Sequence, residues 1–254
     1  MFLRPALHYA YKVWQELRIL PTRCALCTQI GNVDLCEACN TVYFQGQQQR
    51  CVQCGLSILG QGTLRCGACL SDPPYYDHSV VACDYQSPYE HIPLALKFGH
   101  QLALASFCAD RLFQVWQKEQ VAKSEQKAKE PPDFFCPVPL GSQRLAERGF
   151  NQSVEIARPL ASLCGSQLAL DFLFRQRETK AQSQLKLAQR QRNVKAAFAL
   201  HPSARIQIQG KHIALVDDVM TTGSTLNEIA YLLKKNGARK ITNFVFARTD
   251  HLHL

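Results

Sequence analysis

Short apolar runs alternate along this chain with segments whose apolar residues recur every three or four positions. The clearest run, Ile213-Ala214-Leu215-Val216, is bounded and unbroken, which predicts a strand buried on both faces of a parallel sheet. Beyond it, Leu226, Ile229, Ala230 and Leu233 repeat at helical spacing from Ser224 onward. Ser79-Val80-Val81-Ala82-Cys83-Asp84-Tyr85 predicts an earlier strand, followed by two amphipathic helices. Ile92, Ala95, Leu96 and Phe98 line the first, and Leu104, Phe107, Cys108, Leu112, Val115 and Trp116 the second. Lys118 to Pro132 is charged and Gln-rich and ends in Pro-Pro, as a solvated linker or helix tail does. Phe134-Phe135-Cys136-Pro137-Val138-Pro139 then re-enters the sheet, and Ile241-Thr242-Asn243-Phe244-Val245-Phe246 supplies a last strand. Strand alternating with helix implies an α/β fold with a parallel sheet flanked by helices, and with functional groups at the carboxyl ends of the strands.

Composition narrows this picture. The 254 residues are 46% apolar, enough for one large or two modest domains, and no apolar stretch is long enough to span a bilayer. Leu3, Leu7, Trp14 and Leu17 give residues 1–21 the spacing of an amphipathic helix. His8, Lys12, Gln15 and Glu16 interrupt it, which argues against a secretory signal. Such a helix packs on its own protein or lies on a membrane. Without an export signal the expected compartment is the cytoplasm, where twelve cysteines do not form a disulfide framework.

Eight of those cysteines form four C-x2-C pairs: Cys24 and Cys27, Cys36 and Cys39, Cys51 and Cys54, Cys66 and Cys69. One such knuckle presents two thiolates to a metal, and two knuckles complete a tetrahedral site. The pattern predicts two structural zinc ions in a double zinc ribbon over residues 22–72, paired in sequence order, with crossed pairing as the alternative. An iron–sulfur cluster is the rival metal, disfavoured because the repeated pairs match ribbons rather than cluster spacings. Cys83, Cys108, Cys136 and Cys164 stand singly in apolar surroundings and read as core. The formal charge of +9 falls to about +5 once eight thiolates and two zinc ions are counted. What remains is unevenly spread: between Phe172 and Val216 the only acid is Glu178, set against Arg175, Arg177, Lys180, Lys186, Arg190, Arg192, Lys195, Arg205 and Lys211. A polyanion is the natural partner of that segment.

The chemistry concentrates after the central strand, at Asp217-Asp218 and Thr221-Thr222-Gly223-Ser224-Thr225. A hydroxyl-rich turn that opens a helix binds an anion through backbone N–H groups and hydroxyls. Two adjacent carboxylates repel phosphate and suit ribose hydroxyls or a divalent cation. Pro137-Val138-Pro139-Leu140, followed by Arg144, Arg148, Gly149, Phe150, Asn151 and Gln152, sets guanidinium groups after another strand, as pyrophosphate binding requires. Lys97, in Leu96-Lys97-Phe98, joins them as a candidate anion ligand or stands as an ordinary exposed lysine.

The Asp217–Thr225 run resembles the phosphoribosyl pyrophosphate loop of type I phosphoribosyltransferases. That resemblance implies ribose binding by Asp217 and Asp218 and 5-phosphate binding by Thr221 to Thr225, with magnesium. Together with the knuckles, the Arg144–Gln152 cluster, Leu96-Lys97-Phe98 and the pattern from Thr179 through Gln182, Leu185, Arg190 and Asn193 to Phe198, the chain is similar to the ComF/GntX family, whose members are tied in bacteria to DNA uptake. The resemblance covers Cys24 to Thr249. It implies a type I phosphoribosyltransferase-like domain over residues 75–250 behind the zinc ribbon, and as partners phosphoribosyl pyrophosphate, single-stranded DNA and the DNA-uptake machinery. The alternative function is a single-stranded DNA-binding competence factor that uses the phosphoribosyl site without transfer. Thr221 stands where purine-salvage enzymes usually carry an aspartate, and a threonine hydroxyl does not serve as a base near neutral pH, so purine salvage is disfavoured and the catalytic residue is unassigned.

Overall fold

The computed structural model describes residues 22–44, 49–58, 64–99, 101–121, 130–177 and 196–250. The expected helix over residues 1–21 and the basic residues Lys180, Arg190 and Arg192 lie outside these. The chain divides into two compact units, Met1–Gln47 and Gln48–Leu254. In the first, β1 (Thr22–Arg23) pairs antiparallel with β2 (Ile30–Gly31), and helix α1 (Glu37–Phe44) follows.

The second unit is built on a five-stranded, wholly parallel sheet. Its strands are β3 (His78–Asp84), β4 (Phe134–Pro137), β5 (Gln167–Leu168), β8 (His212–Met220) and β9 (Lys240–Arg248), in the spatial order β3-β9-β8-β4-β5. The central strand continues past the apolar run that marks it in the sequence, through Asp217 and Asp218 to Met220. The reason lies in β9, which is as long and pairs with it throughout, Asp217 opposite Val245 and Met220 opposite Arg248. The two carboxylates are thereby fixed in the backbone ladder rather than carried on a loop.

Alternate residues of β8 and β9 serve opposite layers, as the two-residue period of a strand demands. Ile213, Leu215, Ile241 and Val245 join one core with Leu226, Ile229, Ala230 and Leu233 of helix α8 (Ser224–Lys235). On the other side Phe244 stacks on Phe135, with ring centres 5.1 Å apart. Phe246 meets Phe107 of helix α4 (Ala103–Val121) edge-on at 6.1 Å. Complete burial of each such aromatic stabilises the fold by about 1.5–3 kcal/mol. Helix α4 packs on β3, β9 and α6 (Gln152–Cys164). Helix α3 (His91–Phe98) precedes it, so both helices fall where their apolar spacing places them.

The last knuckles, Cys51–Cys54 and Cys66–Cys69, belong to this second unit. They carry the short helix α2 (Gly67–Ser71), and the bridge between Arg50 and Ser57 lies beside β3, both side chains reaching Asp84. Gly55, at φ +71°, lies so close to Val81 that an added Cβ would fall 2.3 Å from a valine methyl. The Val52 carbonyl accepts from the Ser79 N–H, and the Gln53 carbonyl from the Ser79 hydroxyl. Cys51, Cys54 and Cys69 are consequently part of the same apolar core as Ile213 and Leu226.

Candidate phosphoribosyl and metal sites

Three segments converge at the carboxyl end of β8. Helix α5 (Ser142–Arg148) ends at Gly149, whose φ of +77° reverses the chain. Asn151 then starts α6, its side-chain oxygen accepting from the Ser153 N–H while its amide donates to the Val138 carbonyl. This capping points the Ser153 hydroxyl at Asp217, to which it donates at 3.0 Å. The Gly-Phe-Asn-Gln stretch therefore has an architectural role: it places the start of α6 against the acid pair.

Asp217 and Asp218 differ in environment. Asp218 is 3% exposed and its carboxylate meets the Lys97 ammonium at 2.6 Å. Asp217 accepts from Ser153 and from the Asp218 N–H. Burial of its carboxyl and the adjacent charge of Asp218 push Asp217 up to about 7, against the opposing pull of Lys97 and these two hydrogen bonds. The Arg148 guanidinium lies over the Phe98 ring, 5.2 Å from its centre, and donates to the Gln152 side chain. Arg144 sits partly exposed one turn earlier on α5. The structure thus gathers Lys97, Arg148, Asp217 and Asp218 at one sheet edge, with Lys97 directed to Asp218.

The turn after β8 is shaped by Gly223. At φ +79° it caps α8, and a Cβ there would meet the Met220 methyl at 2.6 Å and the Tyr76 hydroxyl at 3.0 Å. Thr222 and Ser224 share a hydroxyl contact of 2.7 Å, and the Ser224 N–H turns to Thr222. Thr221 to Thr225 hence stand at the amino end of a twelve-residue helix, where backbone dipoles favour an anion. Ser153, Tyr76 and Arg248 escape a reading of the sequence alone. Ser153 and Tyr76 carry no charge pattern; for Arg248 the one available signal is a cation at the end of the apolar run Phe244-Val245-Phe246-Ala247.

Of the basic segment, Arg175, Arg177, Arg205 and Lys211 are described, and Lys211 is paired with Asp133 at 3.3 Å. Arg175 lies on β6 (Leu173–Arg175), which pairs antiparallel with β7 (Phe198–Leu200), and its guanidinium stacks over Phe198 at 5.2 Å. Arg177 is exposed.

The eight knuckle cysteines gather in sequence order, Cys24, Cys27, Cys36 and Cys39 in one group and Cys51, Cys54, Cys66 and Cys69 in the other, the sulfurs of each within 4.8 Å of one another. None of the twelve cysteines is in a disulfide. Four sulfurs about 2.3 Å from one zinc ion stand about 3.8 Å apart. Cys27 and Cys36 are at 3.7 Å, and Cys54 and Cys66 at 3.5 Å. The groups repeat one arrangement, in which the Cys36 N–H donates to Cys24 and the Cys66 N–H to Cys51. Burial pushes the Cys24 and Cys51 thiols up, but backbone N–H groups overcome it and bring them to about 6 and about 7, primed as thiolate ligands. Within each group burial and the neighbouring sulfurs push the partner thiols Cys39, Cys54 and Cys69 up, and outside the knuckles burial pushes Cys136 and Cys164 up to about 12.

Residues 17–70 match the double zinc ribbon domain and residues 146–252 the phosphoribosyl transferase domain. The DNA utilization protein YhgH of Salmonella typhi is 36% identical over 234 residues, covering 91% of this chain and 98% of that protein. Competence protein F of Haemophilus influenzae is 33% identical over 198 residues, covering 78% and 84%. Among solved structures, glutamine phosphoribosylpyrophosphate amidotransferase from B. subtilis overlaps 53% of this chain and 26% of its own at 20% identity, with a TM-score of 0.31. Similarity that runs through both the cysteine groups and the acid-bearing sheet, over nearly the whole of a relative, fixes the kinship: this chain belongs to the ComF/GntX family.

Proposed function

We propose that the protein binds phosphoribosyl pyrophosphate with magnesium at the carboxyl edge of β8, as a phosphoribosyltransferase-type protein of DNA utilization. One observation carries this: an acid pair locked in the sheet ladder leads, through a glycine that only a side-chain-free residue fits, into the amino end of a helix. Asp217 and Asp218 hold the ribose hydroxyls, Thr221 to Thr225 the 5-phosphate, and Arg148 with Arg144 the pyrophosphate. Lys97 keeps Asp218 neutralised until the ligand arrives. Magnesium bound with the diphosphate would spread its charge as the bond at C1 breaks. The chain's own contribution is positional, because no described residue near the acid pair is placed as a general base.

Relatives named for DNA utilization and competence favour a second role in the same cytoplasmic setting, the handling of single-stranded DNA for the uptake machinery by the basic segment around Arg175 and Arg177. Calorimetry of phosphoribosyl pyrophosphate with magnesium tests the first reading. The wild type is expected to bind, and Asp217→Asn/Asp218→Asn to lose at least about tenfold in affinity, the scale of charge-assisted hydrogen bonds. A wild type that shows no binding heat refutes it.

A further inference from the structure

Arg248 is 1% exposed and is the largest fully buried side chain among the described residues. It closes β9, where an apolar residue would be expected. Its hydrogen bonds all run to carbonyl oxygens. Nε donates to Cys54 at 3.0 Å, and Nη1 reaches Met220 at 3.2 Å, Thr249 at 2.7 Å, and Thr221. Carbonyls satisfy its N–H groups but do not balance its charge, and a buried guanidinium needs that balance. The groups in its field that can carry negative charge are Cys54, whose sulfur lies within 4.8 Å of the other three of its cluster, Tyr76 and Asp250. Four thiolates on one zinc ion keep a net charge of about −2, so the loaded cluster acts as a counter-ion for Arg248.

The two ends of this guanidinium bridge sit in different functional parts. Cys54 closes a knuckle that is itself clamped to β3, with Arg50 donating to the Gly55 carbonyl at 3.1 Å and to Asp84 at 2.7 Å. Met220 and Thr221 begin the turn that leads to Gly223. The Thr249 N–H also donates to the Met220 carbonyl at 3.0 Å, and the Tyr76 hydroxyl closes over Gly223. One buried cation thereby ties the Cys51–Cys69 cluster to the anion-binding turn.

We propose that Arg248 is a positioning residue through which metal at Cys51, Cys54, Cys66 and Cys69 sets the order of the turn from Val219 to Thr225, making ligand binding dependent on the second cluster and independent of the first. The ligand half of this statement rests on the proposed function; the ordering of the turn does not. Metal loss frees the knuckle carbonyl and removes the counter-charge together, and both effects loosen Arg248 from Met220 and Thr221.

Hydrogen exchange of the full-length protein, read by mass spectrometry over residues 219–225, tests it. The comparison is between the zinc-loaded wild type, Cys66→Ser, Cys36→Ser and Arg248→Lys, with zinc content measured for each. Cys66→Ser and Arg248→Lys are expected to raise exchange in the turn about tenfold, a typical size for coupled sites, and to weaken phosphoribosyl pyrophosphate binding by a similar factor. Cys36→Ser leaves both unchanged. Residues 213–216 serve as the internal control for an intact sheet. The proposal is overturned by unchanged turn exchange in zinc-deficient Cys66→Ser, by an equal response to Cys36→Ser, or by exchange that rises over the turn and residues 213–216 alike. A wild type that fails to bind the ligand while its turn still responds to Cys66→Ser refutes the ligand assignment and leaves the coupling standing.

Discussion

Asp217 carries an unusual proton for a carboxyl group beside a proposed phosphate site. Held up to about 7 by burial and by Asp218, it is largely protonated in mildly acidic solution in the unliganded protein. Ribose hydroxyls and magnesium favour its carboxylate, so ligand binding competes with that proton. Above about pH 7 the group is already ionised and affinity is level; below it, affinity for magnesium phosphoribosyl pyrophosphate is expected to fall by up to about tenfold per pH unit. Calorimetry at about pH 6 in two buffers of different ionisation heat should detect up to about one proton more released on binding to the wild type than to Asp217→Asn. Affinity that is flat from about pH 5.5 to 8 contradicts this. The acid pair was legible in the sequence because strand, carboxylates, glycine turn and helix follow one another within thirteen residues. Ser153, which donates to Asp217, was not legible, because its role exists only once α6 has folded against β8, sixty-four positions away.

Helices α3, α4 and α8 follow from their own apolar spacing, since each buries one stripe against the sheet. The β6–β7 ribbon does not: Leu173-Phe174-Arg175 is too short to show alternation, and its partner Phe198-Ala199-Leu200 lies beyond the whole basic segment. That ribbon nonetheless fixes where the segment starts and ends. The Ala196 N–H donates to Glu228 of α8, and Gln176 donates to the Ala196 carbonyl, so both ends of the segment are held together beside α8. If the segment meets DNA, it does so between two anchored ends. Salt titration of single-stranded oligonucleotide binding should give a slope that falls by about 1.4 on Arg190→Ala/Arg192→Ala, from about 0.7 for each phosphate no longer neutralised. An unchanged slope removes these two arginines from any nucleic-acid interface.

At the scale of the whole molecule, one contribution to acid sensitivity comes from a histidine that no motif or spacing singles out. His212 begins the central strand and contacts Thr242 through Nε2 at 2.8 Å. Burial, reinforced by Lys240 and Arg239, pushes it down to about 3. The unfolded chain takes up a proton on this residue near pH 6.5 and the folded chain does not, so its contribution to stability is full above that pH and is lost as pH falls toward 3. By pH 5 this residue's contribution should have fallen by about 2 kcal/mol relative to pH 8, so between these pH values the wild type should lose about 4–8 °C of Tm relative to His212→Gln. Thermal melts of the two proteins across this range check it, and parallel pH profiles refute it. The parallel sheet itself was foreseeable from strands alternating with helices, whereas the burial of His212 depends on β9 lying alongside, which no local pattern records.

The placement of the second cysteine group inside the larger compact unit has a consequence for how such a chain can be shortened. A fragment beginning at Gln48 retains Cys54, Tyr76 and Arg248 in one continuous interior. A fragment beginning at Tyr75 removes the Cys54 carbonyl to which Arg248 donates and takes Cys51, Cys54 and Cys69 out of the core they share with Leu226, Ile229 and Met220, although every residue of the proposed phosphoribosyl site is still present. Deletion of the second cysteine group is therefore a core mutation.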